Sequence, residues 1–112
     1  MCEISWDDFK KVELRIGTII AVEEFSQARK PAWKLTIDFS DGIGNHKASA
    51  QITDLYDDQE LVGKQNFGVV NFPPKQIGPF MSECLVTGIM QADGSVVLAV
   101  PDKTVANGLR LA

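Results

Sequence analysis

Hydrophobic and polar residues alternate most regularly between positions 33 and 39. The apolar positions are Trp33, Leu35, Ile37 and Phe39, and the polar positions are Lys34, Thr36 and Asp38. Successive side chains of a strand point to opposite faces, so this pattern predicts a strand that buries its apolar face. It also predicts that Lys34 lies on the outer face.

A first strand is predicted from Leu14 onward by a second period-two pattern. Its shared apolar face would hold Leu14, Ile16, Ile20 and Val22. Gly17 lies inside the pattern, where a bulge or a sharp barrel bend would be tolerated. Weaker patterns predict further strands at residues 47–52, 65–72, 83–90 and 96–100.

Turn residues separate these strands. Pro73 and Pro74 end the strand before them, because proline lacks the amide hydrogen that a ladder needs. Asp93 and Gly94 favour the positive φ angles of a tight turn, so the last two strands are predicted to form a hairpin.

Two short helices are predicted by capping residues. Ser5, with Asp8 three residues later, predicts a helix over residues 5–11. Asp57 and Glu60 resemble a capping box, and Gly63 is a typical glycine stop for the short helix between them.

Five or six short strands with these two helices predict an all-β protein, best matched by an OB-fold. That fold is a five-stranded Greek-key barrel, here with a short N-terminal helix and a short helix between strands three and four. A β-sandwich is the alternative. The 112 residues, with 45% hydrophobic and 23% charged side chains, predict one globular domain over residues 1–112.

The net charge of -4 argues against a protein that coats nucleic acid indiscriminately, because such binding depends on many Lys and Arg contacts to phosphates. The charge is unevenly distributed. Residues 25–50 carry Arg29, Lys30, Lys34 and Lys47 against Asp38 and Asp41. A local basic patch is therefore predicted on an acidic protein.

The sequence contains no combination of residues typical of an enzyme or a metal site. His46 is the single histidine and is predicted to be a solvated loop residue without metal-ligand spacing around it. Ser49, Ser82 and Cys84 lie outside any nucleophile-elbow context, and no phosphate-cradling glycine motif is present. We expect a non-catalytic protein with no cofactor and no metal.

The two cysteines, Cys2 and Cys84, lie far apart and are predicted to be free thiols. The acidic N-terminus does not resemble a signal peptide, and no apolar run reaches the length needed to cross a bilayer. The expected location is the cytoplasm.

An ordered set of residue strings resembles the tRNA-binding domain that occurs alone and as an appendage of some aminoacyl-tRNA synthetases. The strings include residues 14–19, 32–35, 49–52, 60–64 and 70–75. Residues 28–31, 51–56 and 71–77 are similar to the CsaA-type, export-related chaperone branch of that family. The chain departs from the family strings at Trp33, Cys84 and Leu85.

The resemblance and the outward position of Lys34 predict an RNA-binding surface. Its candidate residues are Arg29, Lys30, Lys34, Lys47, Ser49, Lys75 and Ser82. Lysine on an outer face supplies a charge for a phosphate, although the same residue often serves only for solubility. Glu83 is expected to orient Arg15 as an ion pair.

A second surface is predicted where apolar residues occur among turn-forming ones. This peptide-binding rim would hold Trp33, Phe72, Ile77, Phe80 and Met81. If exposed, it would stack bases or bind unfolded polypeptide; if buried, it would close the barrel or form a subunit interface.

The resemblance implies a homodimer. Its interface candidates are Trp6, Phe9, Leu109 and Leu111, which would otherwise pack on the barrel. The favoured function is recognition of tRNA, or other structured RNA, by shape and backbone. The alternative, implied by the CsaA likeness, is a chaperone for unfolded secretory precursors that also binds the secretion machinery.

Overall fold

The computed structural model describes residues 1–112 and has short elements in the predicted order. In chain order they are α1 (Trp6–Lys10), β1 (Leu14–Glu24), β2 (Trp33–Asp38), β3 (Asn45–Ala50), α2 (Asp58–Leu61), β4 (Gln65–Val69), β5 (Lys75–Ile77), β6 (Phe80–Ser82), β7 (Leu85–Val86), β8 (Gly88–Met90) and β9 (Val96–Leu98). Neither helix is long and apolar enough to cross a membrane.

The main sheet is an antiparallel barrel of five strands in the order β3, β2, β1, β4, β7. β1 is long enough to pair with β4 through its first half and with β2 through its second. The edge strand β3 then approaches the segment after β6, where the Glu83 amide donates to the Lys47 carbonyl at 2.7 Å. The nearly closed barrel, with α2 between β3 and β4, confirms the predicted OB-like fold.

The barrel interior contains the apolar face predicted for β2. Leu35, Ile37 and Phe39 are fully buried, together with Ile19 from β1 and Leu61 from α2. Apolar side chains gathered in this way provide the main driving force for closing so small a barrel.

Gly17 lies where β1 crosses this core at close range. A Cβ atom on Gly17 would lie 2.5 Å from Ile37 Cγ2 and 2.8 Å from the Phe39 ring. We expect Gly17→Ala to lower the free energy of unfolding by about 1–3 kcal/mol, because the added methyl forces packed side chains apart. Urea denaturation measures the change.

Gly42→Ala is the matched control, since no other atom lies within 4 Å of the position that its Cβ would take. Equal stability of the two variants would contradict the close approach at Gly17.

The face predicted for β1 is wrong in part, since Ile20 is exposed while Val22 packs against the core. The pairing register with β2 shifts between Ile19 and Ala21, which inserts Ile20 as an extra residue. Ile19 lies before the bulge and is buried on the same inner face as Gly17, whereas Ile20 is 45% exposed. A bulge of this kind reverses the faces of all following residues, and it lies at Ile20, not at Gly17.

Both helices begin at the predicted caps. Ser5 and Asp8 form the full capping box, with the Asp8 amide donating to Ser5 Oγ at 3.0 Å. Before α2, Asp57 accepts from the Glu60 amide, and Gly63 follows with φ of 96°. α1 buries none of its residues.

The hairpin of β5 and β6 was not predicted from the sequence. Ile77 pairs with Phe80, so Gly78 and Pro79 form a two-residue loop in which Gly78 has φ of 57°. A glycine that opens a two-residue loop is a recognised hairpin signal, but the flanking strands have only three residues each. The predicted hairpin near the C-terminus is present as β8 and β9, with Gly94 at φ of 89°.

Candidate nucleic-acid interface

Four polar side chains form a row across β2, β3, β6 and β5. Lys34 lies opposite Ser49 in the β2–β3 ladder, and Ser82 lies opposite Lys75 in the β5–β6 hairpin. The Ser49 amide donates to Ser82 Oγ at 3.2 Å and joins the two pairs. We call Lys34, Ser49, Ser82 and Lys75 the donor row.

The donor row places a cation at each end and two hydroxyls between them. Side chains at directly opposed positions share a face, so each lysine points the same way as the serine opposite it. The two lysines stand on separate sheets, Lys34 in the main sheet and Lys75 in the β5–β6 hairpin, with the two hydroxyls between them. The arrangement therefore fits an extended polyanion better than a single small anion.

The ammonium of Lys34 is close to two aromatic rings. Its Nζ lies 4.9 Å from the Phe25 ring centroid and 5.5 Å from that of Phe80, and the two centroids are 5.3 Å apart. Glu23 is opposite Lys34 in the β1–β2 ladder, yet the two do not form an ion pair. Phe25 was not predicted as a site residue, because a single aromatic outside a strand gives no periodic signal.

The other predicted RNA-binding residues differ in how well they join this row. Lys47 is exposed on β3, two residues before Ser49 and so on the same face. Arg29 and Lys30 are exposed in the loop before β2 and make no hydrogen bond or ion pair with the row. The structure thus extends the row to Lys47 but leaves the two loop cations separate from it.

The predicted ion pair of Arg15 and Glu83 does not form. Arg15 binds Glu13, with Nη2 and Oε2 2.9 Å apart, and its Nη1 donates to the Gly108 carbonyl at 3.0 Å. Glu83 instead accepts from the Lys47 amide at 3.0 Å. The prediction was wrong because Glu13, two residues before Arg15, already binds the guanidinium.

His46 is not the solvated loop residue that was predicted. It lies half-buried in β3 with its ring edge against Phe39, and its Nε2 is 3.3 Å from the Ile43 carbonyl. No three His, Cys, Asp or Glu side chains cluster as metal ligands would.

A groove of about 810 Å³ opens beside the donor row. Ser49, Ser82 and Lys75 contribute to its wall, and most of the remaining surface is apolar. The apolar lining residues include Ile52, Phe72, Ile77, Leu85, Val86, Met90 and Val96. No carboxylate lines the groove, and Lys75 is its only charged residue.

The predicted peptide-binding rim is divided by the structure. Phe72 and Ile77 line the groove, whereas Met81 and Phe80 lie outside it. Trp33 is misassigned, since it packs against the core and its Nε1 donates to the Tyr56 carbonyl at 3.1 Å. Its inward position follows from the β2 alternation that buries Leu35 and Ile37. The groove residues of β7 to β9 were not predicted, because they come close to Phe72 and Ile77 only when the chain folds.

Residues 14–110 match the model of the family described as "Putative tRNA binding domain". The chain belongs to the tRNA-binding domain family. It is 33% identical over 106 residues to the methionine--tRNA ligase of Porphyromonas gingivalis, an alignment that covers 95% of this chain and 15% of the ligase. The chain thus spans about 15% of the length of the curated relatives that it matches.

Solved structures of similar size resemble this tRNA-binding domain over nearly its whole length. The chaperone CsaA of Bacillus anthracis is 43% identical with a TM-score of 0.93, covering 99% of this chain and 100% of that one. The CsaA chaperone protein of Picrophilus torridus is 47% identical with a TM-score of 0.91, covering 98% and 100%. A MetRS related protein of Pyrococcus horikoshii is 28% identical with a TM-score of 0.86, covering both chains fully. The CsaA-type resemblance predicted from the sequence is confirmed.

This tRNA-binding domain also exposes an apolar surface formed by its two ends. Trp6 is 62% exposed and stacks on Phe9 at 5.5 Å, while Leu109 is 53% exposed. Leu111, two residues after Leu109, is also exposed. The Arg110 guanidinium donates a hydrogen bond to the Lys10 carbonyl and so holds the C-terminal segment against α1. We call Trp6, Phe9, Leu109 and Leu111 the terminal surface. Phe9 is half-buried, and the other three side chains are exposed.

The departure from the family pattern at Cys84 places a thiol in the groove wall. Burial raises the pKa of Cys84 to about 12, and the neighbouring Glu83 carboxylate contributes to the shift. Because the thiolate is the reactive form, Cys84 should react about a thousandfold or more slowly than an ordinary thiol at pH 8. We expect iodoacetamide at pH 8 to modify exposed Cys2 and leave Cys84 unmodified, as measured by peptide mass spectrometry.

Raising the pH toward 12 should increase the labelling of Cys84 in the folded protein. Comparable labelling of both thiols at pH 8 would show that the groove wall opens in solution.

Proposed function

We propose that this chain is a non-catalytic, homodimeric protein that binds tRNA, or other structured RNA, by shape and backbone. The observation that carries the proposal is the donor row, two strand-paired Lys–Ser pairs joined by the hydrogen bond from the Ser49 amide to Ser82 Oγ. The family match supports tRNA as the ligand. A protein with this ligand would act in the cytoplasm.

The donor row suits contact with the phosphate backbone. Hydroxyl and ammonium groups donate to phosphate oxygens without reading base identity. The helices of a folded RNA present a narrow major groove whose base edges side chains cannot reach, so recognition there depends on shape. The acidic remainder of the protein restricts a polyanion to the few surfaces where cations prevail.

The terminal surface supports a homodimer. Three of its four apolar side chains, those of Trp6, Leu109 and Leu111, are exposed, which is a costly feature for a monomer. A twofold contact would bury the same patch on both copies. Two donor rows in one assembly would bind one folded RNA with higher avidity than either row alone.

A filter-binding titration of tRNA against salt tests the proposal. With few phosphate contacts, we expect log K to fall with log salt at a slope of roughly -2 to -4, taking about -0.7 per contact as a guide. A lack of saturable binding at low salt would refute the proposal.

A second candidate function is binding of unfolded secretory precursors, together with the secretion machinery. The observation that favours it is the groove, whose volume of about 810 Å³ and apolar lining suit an extended polypeptide. The likeness to the two CsaA chaperones points the same way.

Suppression of precursor aggregation tests this second function. Phe72→Ser should reduce the suppression, since Phe72 lines the groove and is 55% exposed, so the change should not unfold the barrel. Met81→Ser is the matched control, because Met81 is similarly exposed but lies outside the groove. Equal activity of the two variants would exclude the groove as the binding site.

A further inference from the structure

The contacts of Lys34 leave its hydrogen-bond donors unused. Its Nζ and the centroids of Phe25 and Phe80 form a nearly equilateral triangle with sides of 4.9, 5.5 and 5.3 Å. The ammonium therefore lies between the faces of two rings that are tilted against each other, and both rings are on the same side of it. No carboxylate or carbonyl of the chain accepts from it.

The two rings differ in how they are anchored. Phe25 is only 3% exposed, and its amide donates to the Ala32 carbonyl at 3.1 Å across the loop before β2. Phe80 comes from the β5–β6 hairpin and shares its hairpin face with Ser82 of the donor row. The aromatic pair thus joins the sheet that carries Lys34 to the hairpin that carries the other half of the row.

Aromatic faces attract a cation electrostatically without using its N–H groups in ordinary hydrogen bonds. A carboxylate partner would also restrain a lysine, but it would accept those hydrogens and cancel the charge. Restraint by rings reduces the rotamer freedom that a free lysine loses on binding. It also keeps the charge, and the N–H groups on the side away from the rings stay available.

We propose that Phe25 and Phe80 are positioning residues that hold the Lys34 ammonium ready for an RNA phosphate. The inference rests on the proposed function and adds a role for two aromatic residues that need not touch the RNA. It explains why a lysine opposite Glu23 does not pair with it. It also assigns Phe80 to the RNA surface through Lys34, rather than to base stacking.

A double-mutant cycle with the full-length protein and tRNA tests this assignment. Phe80→Leu keeps an apolar side chain but removes the ring, so tRNA affinity should fall roughly three- to tenfold. In a Lys34→Met background the same change should alter affinity less than twofold, because the cation is already absent. Phe80→Tyr retains a ring and should retain affinity.

Equal losses from Phe80→Leu in both backgrounds would overturn the proposal, since base stacking or a displaced hairpin acts without Lys34. Phe25→Leu should show the same coupling, and a thermal melt identifies loss of folding if that buried site does not tolerate the change.

An RNA-free measurement separates this inference from the proposed function. Ring currents should shift the Lys34 ε-methylene protons upfield in the free protein, and Phe80→Leu should reduce that shift. A Lys34 signal at the usual lysine position would overturn the positioning role alone. Wild-type protein that fails to bind tRNA would overturn both proposals.

Discussion

Replacing Lys34 and Lys75 together by methionine is expected to weaken tRNA binding about a hundredfold at moderate salt. Each lysine would donate a charge-assisted hydrogen bond to phosphate, and losing one such contact costs about 1.5 kcal/mol, or roughly tenfold in affinity. The two residues stand at opposite ends of the donor row, so their effects should be nearly additive.

The salt dependence gives this experiment a second readout. Losing two phosphate contacts should reduce the slope of log K against log salt by about 1.4. Lys11→Met with Lys103→Met is the matched control, because it changes the net charge equally at two exposed residues outside the row. An equal loss of affinity in the control would mean that only the total charge matters and would contradict a defined row.

Disrupting the terminal surface should have a comparably large effect. Trp6→Glu with Leu109→Glu would place four carboxylates in a symmetric apolar contact, which costs several kcal/mol unless the contact opens. We expect a monomer at concentrations where the wild type is a dimer, as measured by sedimentation equilibrium. Affinity for tRNA should fall by about a hundredfold, as the bivalent contribution is lost.

Val62→Glu is the control for this prediction, since Val62 is exposed beside α2 and lies outside the terminal surface. A wild type that sediments as a monomer, or a double variant that remains a dimer, would show that Trp6 and Leu109 do not form the contact.

Local patterns predicted the fold well. The error-free alternation in β2 placed Leu35 and Ile37 in the core and Lys34 outside, because the period of a strand is fixed by its geometry. Ser5 and Asp57 fixed where the helices begin, since a cap acts within one turn.

Features that depend on contacts between distant segments could not be predicted from the sequence. The bulge at Ile20 arises from the pairing of β1 with β2, so a sequence window around it looks like an ordinary alternation. Glu83 accepts from the Lys47 amide, a contact that forms only when the two segments pack, whereas Arg15 pairs with Glu13 two residues away. The contact of Phe25 with Lys34 could not be predicted either, because the two residues come together only in the folded barrel.

The groove and the donor row share three residues, Ser49, Ser82 and Lys75. A polypeptide lying in the groove would therefore cover the hydroxyls that bind an RNA phosphate. A bound RNA would likewise block the opening of the groove. If both ligands bind, each would displace the other from a given subunit. The abundance of free tRNA would then set how much of the protein is available to hold an unfolded chain.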